Sequence, residues 1–123
     1  MLRDQILPDK RPHPRFMVRI AIFHGTYQKQ ILGGYSVNVS TGGVFIESSR
    51  ILPKDTDLTV KFKLPNSDNI IVVKAIVAWV NDPSSLKKPS LPPGMGLQFL
   101  DLSLDDLHAI RAFLIEGNFK PTW

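Results

Sequence analysis

Two short stretches carry residue types that could recognise a small anionic ligand: Arg11-Pro12-His13-Pro14-Arg15 and Asn38-Val39-Ser40-Thr41-Gly42-Gly43. The second reads as the end of a strand running into a glycine-rich turn. Side chains alternate between faces along a strand, so Val37 and Val39 are expected in a core and Asn38 and Ser40 on the outer wall. Gly42 and Gly43 lack a Cβ and let a flat ligand approach the backbone. Asn38 offers both an acceptor and a donor, whereas an Asp there could only accept. The same residue types also make plain hairpin turns, so this stretch alone does not separate turn from site.

The arginine stretch adds charge in a defined geometry. Each proline fixes its own φ and pushes the preceding residue into an extended state, so Arg11 and Arg15 are not helix neighbours despite their spacing. Four residues of polyproline-like chain span about 12 Å and point the two side chains in different directions. Such a pair can grip two separate edges of a ligand wider than one phosphate. The planar guanidinium makes paired hydrogen bonds to phosphate oxygens, or to O6 and N7 of guanine. An Arg-x-x-x-Arg alone also fits a solvated leader, so the signal lies in the combination.

Arg11-x-x-x-Arg15, a strand-rich gap, then Asn38-x-Ser40-x-x-Gly43 resembles the two-part signature of PilZ domains, bacterial receptors for cyclic di-GMP. The resemblance extends to Val77-Ala78-Trp79-Val80 as a late strand and to Gly94-Met95-Gly96-Leu97-Gln98-Phe99 at the last strand, so it spans roughly Lys10 to Leu114. It implies that Arg11 and Arg15 hold phosphate and guanine, that Asn38 and Ser40 contact a guanine, and that Gly43 keeps the turn open. Lys10, Arg11, Arg15, Asn38, Ser40, Gly42 and Gly43 are therefore the expected cyclic di-GMP site. Lys10 stands where many members carry a further arginine, which bears on how many ligands are bound.

The composition fits this picture. A chain of 123 residues, 43% apolar and 21% charged, is one globular domain by size and chemistry. There is no cysteine, which excludes disulfides and thiolate metal sites and fits a reducing cytoplasm. No signal-peptide core and no long apolar run is present, so membrane insertion is not expected. The net charge of +4 is uneven: residues 1–19 hold five basic side chains against two acidic, and the rest ten against nine. A general nucleic-acid binder spreads its cations along a face, whereas a short basic arm suits a small anion.

The elements that must position these residues follow from periodicity. Residues 1–15 show no period and are expected to be a flexible basic arm; residues 16–117 form the domain and 118–123 a tail. Phe16 to Phe23 alternates as a strand, with Phe16, Val18, Ile20 and Ile22 on one face. Further strands are expected over 30–39, 44–47, 58–64, 70–80 and 96–100, with Gly33-Gly34 marking a bulge and Val73, Ala75, Val77 and Trp79 sharing one face. Ser103 offers an N-cap to a helix carrying Leu107, Ile110 and Leu114, stopped at Gly117. The expectation is a six-stranded antiparallel β-barrel of PilZ type with one C-terminal helix.

Other residues weigh against catalysis. Trp79 and Phe99 are expected in the core, His24 and His108 on the surface and His13 in the solvated arm. No histidine pairs with carboxylates at metal-ligand spacing, and Ser40 has no partner to make it a nucleophile. No metal, cofactor or catalytic residue is expected. The chain reads as a stand-alone cyclic di-GMP receptor that binds without chemistry. It would signal by ordering its arm against a partner protein in motility, pilus or exopolysaccharide control. The alternatives are a PilZ-fold adaptor with weak or no nucleotide binding, and a small oligonucleotide-binding barrel.

Overall fold

The computed structural model describes residues 14–26 and 29–122. Lys10 and Arg11, with the rest of the expected arm through residue 13, lie outside the described residues. The described strands, in order, are β1 (Arg15–Met17), β2 (Ala21–Thr26), β3 (Lys29–Val39), β4 (Gly43–Glu47), β5 (Asp57–Lys63), β6 (Ile70–Asn81), β7 (Gly94–Leu100) and β8 (Pro121–Thr122), with helix α1 (Leu104–Glu116) between β7 and β8. Neighbouring strands run β2-β5-β6-β7-β4-β3, and a further β2–β3 pairing closes these six into a barrel. All pairings are antiparallel. β1 lies outside the ring, paired to β3 on one side and to β8 on the other. Arg15 thus belongs to a strand, and residues 121–122 of the expected tail are its neighbours.

The expected strand from Phe16 to Phe23 is split in two at Val18–Ile20. Ser36, on β3, bridges the break: its hydroxyl accepts from the Ile20 amide at 2.8 Å and donates to the Val18 carbonyl. That satisfies backbone groups which would otherwise be buried without partners. The alternation survives the break, because Val18, Ile20 and Ile22 are all buried while Met17, Arg19 and Phe23 are exposed.

Three one-residue bulges set the barrel's register, at Gly33, Val37 and Ala78. In each, one residue of a strand has no opposite number, and the ladder resumes one step out of phase. Gly33 bears out the bulge expected from the glycine pair, and it makes room for His24. A Cβ on Gly33 would lie 2.4 Å from the imidazole Cδ2. β2 consequently continues past the expected turn at His24-Gly25, and His24 is buried rather than on the surface.

The interior is apolar and continuous from Val18 to Leu114. On α1, Ile110 and Leu114 are buried and join the barrel core, with Ala109 and Phe113 packed against it. Ser103 caps the helix as expected, accepting the Asp106 amide at 3.1 Å, and Asp105 and Asp106 sit at the positive end of its dipole. Each large aliphatic fully removed from water contributes roughly 1.5–3 kcal/mol, so core packing rather than helix propensity holds α1 in place.

His24 gives the fold an acid-sensitive point. Burial, and then the positive charge of Arg50, hold its pKa below the ordinary histidine value, and Nε2 has no hydrogen-bond partner among the described residues. The unfolded chain therefore binds this proton at higher pH than the folded protein does. The contribution is fully present above the ordinary histidine pKa of about 6.5 and is lost as the pH falls toward the depressed folded value. Thermal melts of the wild type should show this decline on acidification, and His24→Gln should show less of it.

Candidate functional site

The bulges at Val37 and Ala78 build the site. Beyond them, residues of four adjacent barrel strands fall into one cross-strand row, Asn38–Phe45–Gly96–Trp79, and Met17 of β1 extends it beside Asn38. The next row, Val39–Val44–Leu97–Val77, is core. Period two then places the first row on the outer wall. Trp79, expected in the core with Val73, Ala75 and Val77, is turned outward because Ala78 takes up one extra step. Val80 packs on the core in its place. Val37, expected inward beside Val39, is the bulge residue and lines the outer recess next to Asn38. Phe99 is in the core as expected, stacked on Phe62.

The aromatic part of the row is closely fitted. The Phe45 and Trp79 rings stack with centroids 5.1 Å apart and planes at 26°. Trp79 reaches Phe45 across Gly96, where a Cβ would stand 2.1 Å from the indole Nε1. Any other residue at 96 would push the indole off its seat.

Arg15 joins the two motifs. From β1 its Nε donates to Asn38 Oδ1 at 2.6 Å, and its Nη1 donates to Ser40 Oγ at 3.4 Å. Ser40 also organises the turn behind it. Its hydroxyl accepts the amides of Gly42 at 3.0 Å and Gly43 at 3.2 Å, and its own amide donates to the Gly43 carbonyl. Asn38 and Ser40 therefore stand on the outer wall but are not exposed: they are 6% and 0% accessible. The requirement for glycine at 43 comes from the barrel, since a Cβ there would lie 2.1 Å from the Leu97 carbonyl oxygen of β7.

Two recesses open on either side of Arg15, and Trp79 forms a wall of both. One, of about 680 Å³, is bounded by Val37, Asn38, Phe45 and the loop after β6. The other, of about 420 Å³, is bounded by Ser40 to Gly43, Gln98 and Leu102. A cleft of about 660 Å³ between residues 65–69 and α1 is as large; its lining sets Arg19, Asn66, Ser67 and Asn69 beside the carboxylate of Glu116 and includes no residue of either motif. Among the described residues no group of three His, Asp or Glu side chains could hold a metal, and no helix is long and apolar enough to cross a membrane.

Because Ser40 is buried and multiply bonded, Ser40→Ala should cost the fold about 1–3 kcal/mol, the penalty for unsatisfied buried donors. A denaturant melt measures this, and an unchanged midpoint would show that water replaces the hydroxyl.

The sequence alone missed two features of this site. Phe45 was legible in principle, since Val44-Phe45-Ile46 is apolar without alternation, a pattern of strands covered on both faces. The role of Asn81, described below, has no local signal, because an Asn at a strand end looks like the start of any loop.

Comparison with known proteins agrees with this fold. Two solved structures share the fold. One is the inhibitor of motility MotI/DgrA of Bacillus subtilis, with a TM-score of 0.68 and 22% identity over 89% of this chain and 51% of that one. This chain thus spans about half the length of that protein. The other is the PilZ domain with c-di-GMP of YcgR from Escherichia coli, with a TM-score of 0.63 and 10% identity over 88% of this chain and 91% of that one. No curated protein sequence matches. The family model described as PilZ domain matches residues 9–116. With nearly the whole chain matched and the barrel in place, this protein belongs to the PilZ domain family.

Proposed function

We propose that this protein is a cyclic di-GMP receptor that binds without chemistry. The observation that carries the reading is the pair of bonds from Arg15 to Asn38 and Ser40. The two halves of the signature, more than twenty residues apart in sequence, meet on one outer wall beside an aromatic surface. The bonds to Asn38 and Ser40 fix the plane of the guanidinium with which Arg15 meets phosphate or a guanine edge. Holding the arginine in place before binding reduces the side-chain entropy lost with the ligand. Trp79, half-buried and backed by the buried Phe45 ring, offers apolar area to a base, and Asn38 its amide edge.

Arg11 and Lys10, from the segment before β1, supply further cations to the same ligand. Engagement of that segment relays binding to a protein partner, in motility, pilus or exopolysaccharide control. The neighbours support this only as analogy: one is named an inhibitor of motility, and the other was solved with c-di-GMP.

The test is a fluorescence titration in a Trp123→Phe background, which leaves Trp79 as the sole tryptophan. Cyclic di-GMP should change the emission saturably, and single-stranded RNA should not. A response to RNA alone would favour an oligonucleotide-binding barrel; silence toward both would favour a protein adaptor.

A further inference from the structure

We propose that Lys87 and Lys88 form a second cationic edge of the ligand groove, and that Asn81 is the positioning residue that holds them there. The proposal rests on the cyclic di-GMP reading above and extends it to residues outside the two-part signature.

The loop from residue 82 to 93 joins β6 to β7 and contains four prolines. Loops of this length without regular structure are ordinarily loose. This one is braced from inside. Asn81, the last residue of β6, is fully buried at 0% accessibility. Its Nδ2 donates to the carbonyls of Lys88 at 3.0 Å, Leu91 at 3.2 Å and Pro92 at 3.0 Å. Its Oδ1 accepts the Lys88 amide at 3.0 Å. Both backbone polar groups of Lys88 are thus tied to one side chain. The loop's near end is pinned as well, since the Asp82 carboxylate accepts from the amide and hydroxyl of Ser84.

This bracing places a lysine pair at a particular spot. Lys87 and Lys88 are exposed, and both line the recess bounded by Arg15, Asn38, Phe45 and Trp79. Neither makes an ion pair with a described residue. A cyclic dinucleotide carries two phosphates, and the cations already assigned to it, Lys10, Arg11 and Arg15, all come from one short stretch of chain. The lysines offer the complementary charge from the loop side of the recess. An ammonium on a flexible stem at the rim acts mainly through long-range attraction, so its signature is a salt-dependent gain in affinity.

The experiment measures cyclic di-GMP affinity of the full chain at low and high salt. It compares the wild type, Lys87→Ala/Lys88→Ala, and Lys61→Ala/Lys63→Ala. The last pair removes the same charge from exposed positions of β5, which lines neither recess. The loop pair should weaken binding roughly tenfold at low salt and reduce the dependence of affinity on salt, whereas the β5 pair should change it by less than about twofold. Asn81→Ala should reproduce the loss and add little on top of the loop pair, because it acts through the same lysines. Should Asn81→Ala fail to fold, the lysine pair decides alone. Equal behaviour of the two pairs in a wild type that binds would overturn the proposal and leave the receptor reading intact. A wild type that does not bind would overturn both.

Discussion

Arg15→Ala should weaken cyclic di-GMP binding by ten- to a hundredfold and shift the thermal midpoint only slightly. The loss corresponds to the roughly 1.5–3 kcal/mol of a hydrogen bond to a charged group. The small stability effect follows from what remains. Ser40 keeps the Gly42 and Gly43 amides, and Asn38 sits on the outer wall where water can replace the guanidinium. Arg15→Lys should recover only part of the affinity, since one ammonium cannot bond Asn38 and Ser40 and still present a planar fork. Calorimetric titration of the three proteins checks this order. Equal affinity for all three would remove Arg15 from the site.

Val39→Asp should abolish cooperative folding. Val39 is 1% accessible and lies in the core row between Phe16 and Val44. A carboxylate there has no polar partner, and an unpaired buried charge costs several kcal/mol, much of the 5–15 kcal/mol typical of a domain's stability. One residue away, Asn38→Ala faces the opposite side and should leave a cooperative transition while weakening the ligand. Circular dichroism melts of the two variants read out the strand register directly. A folded Val39→Asp with an unfolded Asn38→Ala would mean that the faces of β3 are reversed.

Much of this architecture is legible in the sequence. The alternation of Val18, Ile20 and Ile22, of Val60 and Phe62, and of Val73, Ala75 and Val77 marks strands with one buried face, and the structure buries all of them. Ser103 and Gly117 bracket the helix as written. The bulges at Val37 and Ala78 are not legible, because an extra residue is decided by the register of the partner strand rather than by the strand's own pattern. Those two bulges are what turn Trp79 outward and bring Asn38 into line with Phe45, so the wall of the site was hidden although its polar residues were not. Burial of Asn38 and Ser40 was hidden for a related reason. It depends on Arg15 folding back over them from β1, a contact between segments with no local signature. Asn81 is the extreme case, since its four bonds all run to a loop whose own sequence gives no hint of a buried amide beneath it.

Recognition of a cyclic dinucleotide is proposed for the wall formed by Arg15, Asn38 and Ser40. Isothermal titration calorimetry of the wild-type protein with cyclic di-GMP, set beside linear GMP, tests it most directly. Binding should be saturable at micromolar or lower dissociation constant, about −8 kcal/mol or better, with linear GMP much weaker. Cyclic di-GMP binding no tighter than linear GMP would contradict it.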